Sequence, residues 1–178
     1  MLELHNKGLI SLDTAKANAT SPAMIERAKA RQAELELANL DWQLGDVYSL
    51  PFADDSFSLV LTRFSFHHFL NPAAVLAEMI RVCQPGGRVM VWDSGPDADK
   101  ADAYNELEKL KDPSHARALP AEELLAIVNE SGLKNVRTAP FNLEFALETQ
   151  LAGMFPNPGD EERIRRIYRD NLTTDTVG

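Results

Sequence analysis

The first twenty residues show no clear apolar period, and only Gly8-Leu9-Ile10-Ser11 hints at a short strand. At Ser21 the pattern sharpens. Ser21 suits an N-cap and Pro22 the first helical position, and Met24, Ile25, Ala28 and Leu35 follow on a broadly helical stripe, which predicts a helix ending near Ala38-Asn39. Leu40 to Leu44 then alternates like a short strand and stops at Gly45-Asp46. After a turn around Pro51 and Ala53-Asp54-Asp55, the almost continuously apolar run Phe57 to Phe64 predicts a buried strand. Asn71-Pro72 opens a second helix whose inner face carries Val75, Leu76, Met79, Ile80 and Cys83. Pro85-Gly86-Gly87 closes it in a sequence suited to a type II turn, and Arg88 to Trp92 is the next strand.

Strand, helix, strand at this spacing suits a right-handed parallel crossover. A third helix is expected over Ala101 to Lys111 with Tyr104, Leu107 and Leu110 inward, and Pro120 opens a fourth with Leu124, Leu125 and Val128 inward, ending near Ser131-Gly132. Asn135 to Ala146 reads as an edge or bent strand because Pro140 interrupts it. Asp160 caps a last helix through Ile164, Ile167 and Tyr168. The alternation makes an α/β layered domain over residues 21–178, preceded by an irregular segment, residues 1–20.

Length and composition narrow the class. A chain of 178 residues forms one domain that buries about 70% of its unfolded surface. With 44% hydrophobic and 25% charged residues it lies near the globular average, which excludes disordered and collagen-like classes. A net charge of −9 leaves no basic footprint for nucleic acid. The apolar runs fall far short of the roughly 18 residues of a membrane span, so no membrane partner is expected. Cys83 is the only cysteine, so no intrachain disulfide forms, and the expected compartment is the cytoplasm. Residues 1–20 lack the apolar core of a signal peptide.

In open parallel sheets ligands bind at the carboxyl ends of the strands. Two such ends are rich here: Gly45-Asp46-Val47-Tyr48-Ser49-Leu50-Pro51-Phe52, and Arg63-Phe64-Ser65-Phe66-His67-His68-Phe69. An acid in such a turn accepts hydrogen bonds from a ligand amine while its apolar neighbours line a slot. The ordered set GD-x₃-LPF, DDSFSLVLTRFSFHHF and a helix ending in RVCQPGGRVMV resembles class I S-adenosylmethionine-dependent methyltransferases, in the type 11, quinone-biosynthesis-like branch. The stretch Lys111-Asp112-Pro113-Ser114-His115 also resembles a segment some of these proteins carry.

The resemblance implies a Rossmann-like, mostly parallel sheet with helices on both faces, S-adenosylmethionine as cofactor and methyl transfer to a small-molecule acceptor. Asp46 then falls where the family contacts the adenine amino group, and Val47 where it lines the adenine slot. For the methionine part of the cofactor the resemblance points to Arg63, Phe64 and Ser65, the alternatives being that Phe64 is core and Arg63 a solvated rim charge. His67 and His68 stand on the substrate side as candidates for acid–base work; the alternative is that one packs on the helix and the other meets water. No metal site is expected. Tyr104, His115 and Phe155 are candidates for an acceptor pocket or for core.

Departures from the family pattern are as specific as the matches. The only glycine before residue 45 is Gly8, so the glycine-rich loop that follows the family's first strand is absent. The ribose-binding acid has its place near Asn18 or Ala19, where Asn18 offers one carbonyl oxygen and no charge; Met24 remains available to pack on the adenine. The last antiparallel strand is also missing. The fold is therefore expected to be incomplete, with the first and last strands missing or replaced. Three readings compete: a methyltransferase, a non-catalytic relic acting as a self-associating binding module, and a partial reading of a longer gene. A missing central strand leaves backbone groups unpaired beside Phe57 to Phe64, a template for a homodimer or other self-association. Sedimentation of the purified chain should show a species larger than the monomer; a monodisperse monomer with sharp thermal unfolding would contradict it.

Overall fold

The computed structural model describes residues 22–142, 144–154 and 156–177, apart from the side chains of residues 22–25 and 27. The expectations for residues 1–20, the Ser21 cap, Asn18 and Phe155 lie outside these residues, as does the side chain of Met24. Along the chain run α1 (Pro22–Glu34), β1 (Phe57–Arg63), a 3-10 turn (Phe66–His68), α2 (Pro72–Val82), β2 (Cys83–Trp92), α3 (Ala101–Lys111), α4 (Ala121–Glu130), α5 (Leu147–Leu151) and α6 (Asp160–Thr174). The order is α/β, and among the described residues β1 and β2 form a two-stranded sheet. Asp55 donates its N–H to the Arg81 carbonyl and Phe64 to that of Trp92, so the pairing advances in the same direction on both chains: the sheet is parallel. The described residues divide into two compact units, residues 22–60 with 78–89, and residues 61–77 with 90–177.

In the first unit, Gln32 ends α1. Its amide donates to the carbonyls of Leu37 and Leu40, and its oxygen accepts the Trp42 indole N–H at 2.6 Å. The chain reverses at Glu36, whose φ is 52°. The helix therefore stops at Glu34, short of Ala38, and the expected strand over Leu40–Leu44 is irregular backbone. Its alternation has the period of a strand, but among the described residues no strand lies beside it to complete a ladder.

The same unit is held by one guanidinium. Arg81 donates through Nε to Glu78 Oε1, through Nη1 to the Phe52 carbonyl and Asp54 Oδ1, and through Nη2 to the Leu50 carbonyl and Glu78 Oε2, all at 2.8–3.0 Å. Glu78 also accepts the Leu50 N–H at 2.9 Å, and the Arg81 hydrogen bond holds its carboxyl below the usual carboxylate range. These bonds close the loop 50–55 onto α2, whose Met79 and Val82 are buried. Gly86 has φ 78°, as the third position of a type II turn requires, although β2 already starts at Cys83. At Gly87 an added Cβ would lie 2.7 Å from Cys83 Sγ, 2.8 Å from the Gln84 carbonyl and 3.0 Å from that of Ser58. Glycine thus lets the backbones of β1 and β2 approach.

β1 departs from expectation in burial. None of its residues is fully buried, and Leu59 is 48% exposed, because among the described residues the strand has a single pairing neighbour. It ends at Arg63 instead of Phe64, which leaves the strand with φ 49°.

The second unit carries its own core. Leu107 of α3, Leu151 of α5, Ile164 of α6 and Val177 are buried together, with Leu110, Met154, Ile167 and Tyr168 packed against them. Lys111 adds a polar tie: its ammonium is paired with Glu108 and donates to the Tyr168 hydroxyl at 2.9 Å. α3 has the bounds the sequence pattern predicts. α4 likewise starts after Pro120 and ends before Gly132, whose φ is 86°, but its Leu124, Leu125 and Val128 are only half-buried. Among the described residues of 135–146 none is in a strand. Asn135 is left-handed, Pro140 lacks a donor, and Phe141 is exposed with its ring edge-on to Trp92.

The Arg81 fork predicts an asymmetric cost of substitution. Arg81→Lys should lower the thermal midpoint although it keeps the charge, because an ammonium cannot serve the Glu78, Phe52 and Leu50 acceptors at once. Arg81→Met should lower it further. Equal midpoints for Arg81→Lys and the parent by calorimetry would refute this role.

Candidate functional site

The second unit gathers polar side chains at the carboxyl ends of β1 and β2. Leaving β2, Asp93 turns its carboxylate to the 3-10 turn that follows β1. Oδ2 accepts the backbone N–H of Phe66 at 2.6 Å and of His67 at 3.1 Å, and Oδ1 accepts that of Ser94 at 2.7 Å. Oδ1 also lies 2.5 Å from Nδ1 of His67. The Asp93 side chain is 3% exposed, and His67 is 14% exposed. A buried carboxylate with these acceptor sites filled has little freedom to rotate, and as an acceptor it takes its hydrogen bond from a proton on Nδ1. No hydrogen bond reaches His67 Nε2 among the described residues.

A segment more than forty residues along the chain closes over this turn. The His67 carbonyl accepts the N–H groups of Ala116 and Arg117 at 3.0 and 2.9 Å. His68 Nδ1 lies 3.1 Å from the Ser114 carbonyl, which only accepts, so this nitrogen donates. Ser114 is fixed in turn by Asp112, which takes both its hydroxyl and its N–H. His115 is 5% exposed, and its ring lies 5.2 Å from that of His67, which is itself 4.4 Å from His68. Its Nε2 donates to Asn105 Oδ1 at 2.6 Å. Asn105 in α3 also accepts the Ala118 N–H and donates to the carbonyls of Ala101 and Ala118. Nδ1 of His115 is buried without a partner. Burial first, then the neighbouring His67 and His68, lowers the His115 pKa to about 4, so this ring is neutral near pH 7.

Arg63, Phe64 and Ser65 stand beside this turn in the chain. The Arg63 guanidinium lies 4.5 Å from the Phe64 ring centre and 4.7 Å from that of Trp92, two cation–π contacts, and the Ser65 hydroxyl donates to the Arg63 carbonyl. Phe64 is a bulky residue at positive φ, a strained conformation of the sort that collects at ligand sites. Tyr104 is on α3, and burial pushes the pKa of its hydroxyl up.

In the first unit, Asp46 and Val47 form a separate turn that follows the irregular backbone of Leu40–Leu44. Asp46 is exposed, and its Oδ1 accepts the Tyr48 N–H at 2.9 Å in an Asx turn closed by a bridge to Ser49. Val47 is 4% exposed and Leu50 is buried with it. The sequence reading picked out His67 and His68 but missed Asp93, Asn105 and Ser114. The signal for Asp93 was present: an acid immediately after an apolar strand, next to the strand that ends in the histidine pair. Among the described residues there is no group of side chains suited to hold a metal, and no helix is long and apolar enough to cross a membrane.

Comparison with known proteins supplies the chemical context. A family model described as "Methyltransferase domain" matches residues 9–91. The chain is 38% identical over 154 residues to YafE of Escherichia coli, spanning 84% of this chain and 71% of that protein. It is 30% identical over 142 residues to a Bacillus subtilis methyltransferase, YcgJ, spanning 79% of this chain but 56% of YcgJ. The crystal structure of YcgJ superposes with a TM-score of 0.74 over 87% of this chain and 64% of that one, at 27% identity. A shorter match, 38% identical over 74 residues, covers 42% of this chain and 30% of the ubiquinone/menaquinone biosynthesis C-methyltransferase UbiE of Roseobacter denitrificans.

Because the His115 pKa is about 4 in the folded chain and about 6.5 when unfolded, the unfolded chain binds the extra proton between those values. This contribution is complete above pH 6.5 and is lost as pH falls toward 4, on the order of 2–3 kcal/mol. Urea unfolding at several pH values should show the decline, and His115→Gln should flatten it. An unchanged pH slope in His115→Gln would refute the assignment.

Proposed function

This chain belongs to the class I S-adenosylmethionine-dependent methyltransferases, and from that premise we propose that it binds S-adenosylmethionine and methylates a small-molecule acceptor in the cytoplasm. The observation that carries this reading is the clamped His67–Asp93 pair at the carboxyl ends of β1 and β2, the end of a parallel sheet where ligands bind. The net charge of −9 argues against a nucleic-acid acceptor.

The first unit has a donor set that fits one end of the cofactor. Asp46 projects an exposed carboxylate whose Oδ1 is engaged by its own turn, beside buried Val47 and Leu50. An acceptor next to an apolar wall suits an aromatic ring bearing an amino group. The places for the ribose and methionine ends fall in part on residues before 22, outside the described residues. Arg63, Phe64 and Ser65 are the further residues assigned to the methionine part, on a stretch whose strained backbone is fixed by stacking on Trp92. When bound, S-adenosylmethionine supplies an electrophilic methyl group on a sulfonium. Transfer of that kind depends mainly on holding the acceptor in line, a task that falls in this reading to the turn 66–68 and the segment hydrogen-bonded to it through Ala116 and Arg117.

Titration calorimetry with S-adenosylhomocysteine tests the reading. One site should appear, weakened about tenfold or more in Asp46→Asn, which keeps the Oδ1 acceptor for Tyr48 but loses the charge. No heat with the parent would defeat the cofactor assignment. Equal binding by Asp46→Asn and the parent would show that the pocket lies elsewhere.

A further inference from the structure

We propose that the guanidinium of Arg63 anchors the methyl acceptor, and that the acceptor is a carboxylic acid with an apolar or aromatic body. The inference rests on the methyltransferase reading and deepens it by naming the substrate class. Arg63 ends β1 and is exposed, yet its side chain does not lie loose on the surface. The guanidinium carbon stands 4.5 Å from the centre of the Phe64 ring and 4.7 Å from that of Trp92. These two rings are tilted by 55° with centres 6.0 Å apart, so the cation occupies the notch between them. Phe64 meets it from a left-handed backbone, φ 49°, whose N–H is held by the Trp92 carbonyl at 2.8 Å. The Ser65 hydroxyl holds the Arg63 carbonyl at 3.0 Å. Backbone strain of this sort collects at ligand sites.

What this cation lacks is an acid. Contact with ring faces favours the charge but places none of the five N–H donors of an arginine on an oxygen. Among the described residues the Arg63 guanidinium makes no hydrogen bond or ion pair, whereas Arg81, Arg117 and Arg165 each hold a carboxylate. The chain carries 27 acidic residues, so acids are not scarce. Asp93, directly after Trp92, turns its oxygens to Phe66, His67 and Ser94 instead. A guanidinium seated on two rings with its donors unspent, at the end of a parallel strand where ligands bind, is a place for an anion from outside.

The surroundings select which anion. A planar carboxylate matches the guanidinium fork with two parallel hydrogen bonds. The rings of Phe64 and Trp92, with the exposed Phe141 perpendicular to Trp92 at 5.0 Å, offer apolar surface to the rest of the molecule. A phosphate dianion is repelled more strongly than a carboxylate by a chain of net charge −9. The methionine end of the cofactor also carries a carboxylate, but beside an ammonium that the guanidinium would repel. The backbone of residues 63–65 stays with that end, and the side chain of Arg63 is left to the acceptor.

The test uses the full chain and matched probes: indole-3-acetate with indole-3-acetamide, cinnamate with cinnamamide, and phenyl phosphate. Calorimetry with and without saturating S-adenosylhomocysteine should show each acid binding about tenfold or more tighter than its amide in both conditions. Arg63→Gln should remove that preference with S-adenosylhomocysteine affinity little changed, and Arg63→Lys should restore it only in part, because an ammonium lacks the fork. Equal binding of acid and amide by the parent overturns the proposal, as does no binding of either acid or a preference for phenyl phosphate. Displacement of the acids by S-adenosylhomocysteine overturns it by putting them in the cofactor's place. An acid preference that survives in Arg63→Gln assigns it to another cation, and an equal loss of S-adenosylhomocysteine affinity in that variant returns the side chain to the methionine end. Either result defeats the assignment. A parent that binds no S-adenosylhomocysteine defeats the methyltransferase reading instead, and the acid–amide comparison without it still decides the Arg63 site. That comparison needs no variant, so it decides even where Arg63→Gln fails to fold.

Discussion

The second unit depends on how one carboxylate is satisfied. Asp93 sits almost wholly out of water at the end of β2, where an unpaired acid would be costly. It avoids that cost by collecting the N–H groups of Phe66, His67 and Ser94 and the imidazole of His67. Those donors are available only if the chain leaving β1 folds into the tight turn 66–68. Once formed, that turn presents the His67 carbonyl to Ala116 and Arg117, which brings Ser114 to His68 and His115 to Asn105. Two strand ends, one turn and one distant segment are thus interlocked through a single side chain, which is why the histidines have fixed orientations instead of the rotamer freedom of surface residues.

Not every polar atom nearby is so well served. Asn105 uses both faces of its amide, while His115 Nδ1 and Trp92 Nε1 are buried without partners, and Phe64 holds a left-handed backbone that a bulky side chain disfavours. Each of these costs free energy on the order of 1–3 kcal/mol. They concentrate around the ends of β1 and β2, whereas Leu107, Leu151 and Ile164 form an ordinary apolar core. Local rules broken at one end of a sheet and kept in the core beside it are the pattern expected of a site.

Much of the fold was legible in the hydrophobic pattern. The bounds of α3 followed from Ala101 to Lys111, and Pro120 with Gly132 bracketed α4, because capping and turn residues act locally. What failed was what depends on neighbours. Leu40 to Leu44 has the alternation of a strand, yet Gln32 takes the Leu40 carbonyl and the Trp42 indole, and among the described residues no strand stands beside it. Leu59 looked like core but is half-exposed, since apolar character says nothing of how many strands flank β1. At the site, a pair of adjacent histidines is conspicuous in any sequence. Asp93 is one acid among many, and its importance lies in donors supplied by residues some twenty-six positions away.

The histidines show how environment, not residue type, assigns the chemistry. His67 faces a carboxylate and His68 a backbone carbonyl; both therefore carry the proton on Nδ1. His115 faces an amide oxygen through Nε2, so its tautomer is the opposite one, and burial keeps it uncharged. Three imidazoles with ring centres 4.4, 5.2 and 6.3 Å apart would repel if all were protonated. Burial against Asn105 keeps His115 neutral beside the His67–Asp93 pair. A pair of adjacent histidines is alike in the sequence, and the fold gives its two members different partners.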